Sequence, residues 1–299
     1  MNTFAEHLEA QGRSQKTVQA YTADMQAFGV WFEWANSGNP FAGVFTPTDV
    51  REYKEYLARK KRSAATINRA LASLRAYGAY LVATGQLTDN PARQARGVGQ
   101  QRSAPKWLDK SEEAKLLREL ERELLAARTT WAKAEAARNL AIVLLMLNTG
   151  LRVSELTALD WIDIDRRERS GFALVRNGKG DKARRVPLNL NARQALTAWS
   201  DAGMAPELDL AGPAVFVGRS GERLRTRAVQ EMLKQTGLRA GVVAHPHRLR
   251  HTFAKKLINA GTPLDQVSMM MGHERLETTL RYTTPDEQDL ARAVQRLED

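Results

Sequence analysis

No cysteine occurs among the 299 residues, which removes disulfides, a thiol nucleophile and any thiolate metal site together. Long apolar runs are missing too. The longest, LAIVLLML at 140–147, falls well short of the roughly 18 residues of a membrane span and suits a buried helix. The opening stretch MNTFAEHLEAQGRSQ lacks the basic start and apolar block of a secretory signal. These absences set the expectation of a cytoplasmic protein that does not use a membrane. Acid is the scarcer charge: 34 Asp and Glu stand against 45 Lys and Arg, a formal charge of +11. That excess favours a polyanionic partner over general solubility charge.

What is present is a chain of 43% hydrophobic and 26% charged residues, a folded composition, and long enough for two cores. Residues 1–100 hold 12 Lys and Arg against 8 Asp and Glu, and the remainder 33 against 26, so both parts are basic. Val18, Tyr21, Met25, Phe28 and Phe32 line one face of a helix. TPTD at 46–49 starts a second, with Thr46 as cap and Pro47 in the first turn. Ile67, Leu71, Leu74 and Leu81 mark a third, closed by Gly85, and a short fourth is expected after Pro91. The basic run RKKR at 59–62 lies between two of these helices, either as a solvated loop or as a phosphate contact. The stretch from 92 to 106 is polar, basic and Gly-containing, which marks an interdomain linker, set at 97–106. Beyond it, Asp109 and Glu112 form a capping box that opens a second domain. Segment 118–138, dense in charge and alanine, is expected as an exposed helical extension. FALVR and RRVPL flank a turn and predict a hairpin with Lys179 near its tip. Helices are expected over 193–202, 226–236, 247–260 and 263–271. The limits are therefore 1–96, linker 97–106, and 107–299 with a tail at 286–299. The fold class is mainly α with a small antiparallel β-sheet in an α+β second domain, after an all-α first domain.

Three of the five histidines, His245, His247 and His251, fall within AHPHRLRHTFAKKL. His247 and His251 share a helix face, as two zinc ligands would. Arg248 and Arg250 stand between them, however, and no carboxylate occurs from 240 to 264, so a cation would be repelled. An anion fits better: Arg250 follows His247 by one turn, and both can point at one phosphate. Further donors are available in Arg152 of NTGLRVSEL, with Glu155 placed to orient it, and in Lys179; Lys182 competes in the same turn. Tyr282 is a packing aromatic or, beside enough cationic donors, a nucleophile whose ionisation they favour. No metal or other cofactor is expected.

NTGLRVSEL, GKGDKARRVPL, HPHRLRHTFA and MGHERLETTLRYT together resemble, in order, the motifs of the tyrosine recombinase (phage integrase) family, in Xer-like style. The resemblance spans about 107–285, and the N-terminal part matches in character the family's core-binding, SAM-like domain. Met271 stands where the family often has Leu, a change of packing rather than chemistry. The resemblance implies a catalytic set: Arg152 and Arg250 clamp the scissile phosphate, His247 and His273 add donors and proton transfer, Lys179 is the general acid, and Tyr282 is the nucleophile. Glu155 supports them, while His245 and His251 take structural or phosphate-contact roles. It implies double-stranded DNA as partner, no metal, and a homo- or hetero-tetramer on two sites at the bacterial nucleoid. The implied tasks are dimer resolution, integration or transposon movement. In the tail 286–299, Leu290, Ala293, Val294 and Leu297 form a stripe that packs on its own domain or docks on a neighbour.

Two other readings stay open at the level of sequence. A type IB topoisomerase-like enzyme would share the chemistry without a partner duplex, and a non-catalytic DNA-binding accessory protein would share only the fold.

Overall fold

In the computed structural model the described residues are 3–99, 106–167, 169–176, 183–203, 213–272 and 277–280. The chain divides into two compact units, Met1–Arg102 and Ser103–Asp299. The architecture is mainly helical with one small antiparallel sheet, as expected.

The first unit comprises α1 (Phe4–Ala10), α2 (Gln15–Ala35), α3 (Pro47–Arg59) and α4 (Ala64–Ala83). Phe28 is fully buried at its centre, with the rings of Trp31, Phe41, Phe45 and Tyr53 around it at 5.1–5.6 Å. Thr46 caps α3 as its sequence indicates: its hydroxyl accepts from Asp49 N at 3.3 Å and Asp49 accepts from Thr46 N at 2.7 Å. Gly85, just past α4, has φ +73°, the left-handed conformation expected of it. One expectation fails here, and one element was not foreseen. The helix after Pro91 is instead a pair of turns, closed by Arg93 N to Asn90 O and Ala95 N to Ala92 O. And α1 was not anticipated, although Thr3 and Glu6 form a reciprocal capping box and Leu8 is fully buried. Residues 97–98 are fastened to α4, where Asn68 exchanges two hydrogen bonds with the Val98 backbone.

The second unit comprises α5 (Lys110–Ala126), α6 (Thr130–Thr149), α7 (Val153–Ala158), β1 (Ile164–Arg166), β2 (Gly171–Val175), β3 (Arg184–Pro187), α8 (Leu190–Gly203), α9 (Thr226–Ala240), α10 (Pro246–Asn259), α11 (Leu264–Met271) and α12 (Glu277–Leu280). The apolar run 140–147 lies in α6, where Ala141, Ile142, Val143, Leu145, Met146 and Leu147 are buried. Helix α6 therefore forms the axis of this core, with α5, α8 and α10 packed around it. The expected hairpin is β2 and β3, paired antiparallel with Val175 opposite Arg184 and Phe172 opposite Pro187. Strand β1, unforeseen, adds to the β2 edge. The segment 118–138 is not one exposed extension. It is cut at Ala127–Thr129, where Thr129 caps α6, and its inner faces are buried at Glu119, Leu120, Ala134 and Arg138. Charge density concealed that face: Arg138 is buried because its guanidinium reaches the carbonyl of Val217 at 3.0 Å. Among the described residues no helix is long and apolar enough to cross a membrane.

Candidate active site

The site forms where three chain segments end against one another. Helix α6 stops at Gly150, whose φ of +62° closes its last turn and whose N–H donates to Met146 O. The chain leaves that turn through Leu151, and Arg152 becomes the cap residue of α7. Glu155 accepts from Arg152 N at 2.8 Å, and its other oxygen accepts from Arg152 Nη1 at 2.8 Å. Sequence reasoning gave Glu155 this orienting place, and the geometry brings the two together.

Helix α10 supplies Arg250, which is 5% exposed. Its Nη1 donates to Gly150 O and its Nη2 to Met271 O. Arg152 Nη2 in turn donates to Gly272 O at 2.9 Å. The two guanidiniums thus sit on adjacent carbonyls at the end of α11, where C=O groups without an intrahelical partner attract cations. Arg152 remains 32% exposed at the side chain. His247, three residues before Arg250 on α10, is exposed, and its ring lies 6.4 Å from that of His251, nearly parallel. His245 caps α10, accepting from Arg248 N at 3.2 Å. Burial holds its imidazole below the ordinary pKa, and the charges of His247 and Arg248 add to that.

The opposite side of α10 is fastened by α5. Arg248 pairs with Glu112 at 2.6 Å and donates to Trp107 O, and Lys256 pairs with Glu113. Leu108 N donates to Thr252 at 2.8 Å. Arg248 is thereby committed to packing, which leaves its helix neighbours to face the site.

Two charged residues went unnoticed in the sequence. Arg184, at the start of β3, forks onto both Glu155 oxygens at 2.9 and 2.8 Å and donates from Nε to Met270 O at 3.1 Å. A signal was available: in β3 the alternation places Arg184 on the same face as buried Val186, an inward position for a charge. Lys255 is 5% exposed, with its ammonium 4.6 Å from the Trp107 ring centre. Glu155 shows the balance of forces. Burial pushes its carboxyl up, but the hydrogen bonds from Arg184 and the Arg152 backbone, the charge of Arg184 and the hydrogen bond from the Arg152 side chain hold it at about 2.

Arg152, Glu155, His247 and Arg250 are therefore described on one unit; Lys179, His273 and Tyr282, and the tail 286–299, lie outside the described residues. Among the described residues no three His, Asp or Glu side chains are grouped to hold a metal ion.

The model of the phage integrase family matches residues 106–289, and that of the phage integrase N-terminal SAM-like domain matches residues 1–85. The chain belongs to the phage integrase family. Tyrosine recombinase XerC of Pseudomonas aeruginosa (strain LESB58) is 34% identical to it, over 99% of this chain and 93% of that protein. Tyrosine recombinase XerC of Alcanivorax borkumensis is also 34% identical, over 97% and 91%. In fold, the chain resembles the XerH site-specific recombinase bound to palindromic difH substrate in a post-cleavage complex. There the TM-score is 0.77 at 21% identity, over 99% of this chain and 85% of that one. The likeness to phage integrase family members therefore runs through both units and is Xer-like in kind.

Proposed function

We propose that this Xer-like tyrosine recombinase acts site-specifically, cleaving one strand of duplex DNA through Tyr282 and rejoining it to a new 5′-hydroxyl. The observation that supports this most is the seating of Arg152 and Arg250 on adjacent carbonyls of α11. Two guanidiniums fixed in this way are preorganised for the charge of a five-coordinate phosphorus. Each offers five N–H groups. Arg152 places one hydrogen on Glu155 and one on Gly272 among the described residues, which leaves donors for an anion.

In this reading the phenolic oxygen of Tyr282 attacks phosphorus as the P–O5′ bond breaks. Arg152 and Arg250 hold the non-bridging oxygens, and His247 and His273 donate further hydrogen bonds and receive the phenol's proton. Lys179 protonates the departing 5′-oxygen. The 3′-phosphotyrosyl ester keeps the phosphodiester bond energy, so attack by a second strand's 5′-hydroxyl restores DNA without ATP or metal. Glu155 supports Arg152. The same proposal has residues 1–96 and 107–299 gripping the duplex, joined by 97–106. Four protomers, alike or of two kinds, assemble on two sites through the tail 286–299, in the cytoplasm at the nucleoid.

Covalent adducts recovered from the host, mapped on its DNA, give the site and test the chemistry. Wild-type protein is expected to carry a DNA 3′ end on Tyr282, with chelator making no difference to cleavage. Tyr282→Phe is expected to bind the mapped duplex equally well and form no adduct. An adduct on another residue, or cleavage that needs a divalent cation, would remove the reading.

A further inference from the structure

Arg184 joins two parts of the site, α7 and α11. Its guanidinium bonds both oxygens of Glu155 on α7 and the carbonyl of Met270 on α11. Three consecutive carbonyls at the end of α11 are thus each taken by a different arginine: Met270 by Arg184, Met271 by Arg250, Gly272 by Arg152. Arg184 also lies directly under the closing turn, since a Cβ on Gly272 would fall 2.8 Å from its Nη1. All three of its guanidinium nitrogens are engaged, Nε by Met270 O and Nη1 and Nη2 by Glu155, so it is placed to brace the cluster.

Charge decides what Arg184 does there. Glu155 is buried and ionised, and a carboxylate in that position captures whatever guanidinium is nearest. With Arg184 forked onto both its oxygens and Arg152 on one of them at 2.8 Å, Glu155 is shared by two guanidiniums, and the three groups together keep one positive charge for another anion. Without Arg184, Arg152 would face that carboxylate alone, and the pair already present at 2.8 Å would carry no net charge. We propose that Arg184 is a positioning residue for strand cleavage, occupying Glu155 and the end of α11 so that Arg152 is held charged and aimed at the scissile phosphate. This rests on the reading of Arg152 as a phosphate clamp.

A competing role follows from the register. Arg184 pairs with Val175 at the base of the β2–β3 connection, in which Lys179 lies, so it could act through the general acid instead. Modified substrates separate the two. Replacing one non-bridging oxygen of the scissile phosphate by methyl removes the charge that Arg152 must meet. A sulfur at the bridging 5′ position leaves without a proton and removes the need for Lys179.

The experiment uses full-length protein and a duplex carrying the mapped site, and reads the single-turnover rate of adduct formation. Arg184→Ala is expected to bind that duplex as wild type does and to form adduct about ten- to a hundredfold slower, the scale of one lost charge-assisted hydrogen bond. The deficit should shrink several-fold or more on the methylphosphonate and persist on the 5′-sulfur substrate. The double variant Arg152→Ala/Arg184→Ala should be no slower than Arg152→Ala alone, because Arg184 acts through Arg152. A rate within about twofold of wild type on ordinary DNA would overturn the proposal. So would rescue by sulfur, an equal deficit on the methylphosphonate, or additive losses in the double variant. If Arg184→Ala does not fold, Arg184→Lys, which keeps the charge but not the fork, is judged on the same substrates by the same criteria. A wild-type protein that forms no adduct would instead sink the recombinase reading itself.

Discussion

At the scale of single residues, Glu155 ties ionisation to stability. Its carboxyl is at about 2 in the folded protein against an ordinary 4.5, so its ionised form stabilises the native state at neutral pH. That contribution is present above about 4.5 and is lost as pH falls toward about 2. Its size is on the order of 3 kcal/mol. Glu155→Gln, which gives up the charge and leaves Arg152 and Arg184 without a carboxylate, should therefore unfold at lower denaturant than wild type at pH 7. The gap between the two should narrow as pH is lowered from about 4.5 toward 2, and a gap constant with pH would show that the carboxylate is not what matters. Glu155 was legible in the sequence because it stands three residues after Arg152, within one helical turn. The partners of Arg184 were not, because Glu155 and Met270 lie in other elements and only folding brings them within hydrogen-bond reach.

At the scale of elements, the ends of helices carry the site, and glycine sets two of them. Gly150 has φ +62°, and a Cβ there would fall 2.3 Å from Phe253 Cδ1 and 3.0 Å from Met271 Sδ. Gly241, at the end of α9, has φ +68° but nothing within 4 Å of its Cβ. Gly241→Ala should therefore cost only the left-handed strain, about 1 kcal/mol. Gly150→Ala adds overpacking of α10 and α11 and should cost roughly 3 kcal/mol. It should also slow cleavage by more than its stability loss explains, because Arg152 and the carbonyl that holds Arg250 move with that turn. Denaturant midpoints and adduct rates check both; equal losses in the two variants would mean that packing at Gly150 is slack. The long helices and the hairpin were legible from periodicity and capping. The short α1 and β1 were not: α1 becomes stable by packing Phe4 against Tyr77 at 5.1 Å, and β1 by pairing with β2.

At the scale of the whole molecule, the excess of basic charge is spread over both units, and in the proposed function both meet the same polyanion. Affinity for duplex DNA should then fall steeply and linearly in log–log form with salt as counterions are released. Cutting the chain between 97 and 106 should weaken binding by about tenfold or more, because the second contact ceases to be intramolecular. Filter binding or anisotropy on the cut and intact protein measures both. Affinity that stays flat from low to moderate salt would mean that the charge serves solubility alone.

Sequence by itself determined the helical class, the two-part organisation suggested by its linker composition, and the ordered motifs that mark the family. These are local or serial properties: periodicity, caps, turn residues and the order of short strings along one chain. Tertiary structure alone decided which charges are spent on packing and which are left for chemistry. No carboxylate lies near Arg248 in the sequence, yet α5 brings Glu112 to it and removes it from the site. Arg184 and Arg185 are neighbours in a strand, yet Arg185 stacks 3.6 Å over Phe172 while Arg184 turns inward to Glu155. A buried ion must find a partner wherever the fold supplies one, and that partner is set by packing between segments 29 residues apart for Arg184 and Glu155 and 136 for Arg248 and Glu112, which no local pattern encodes.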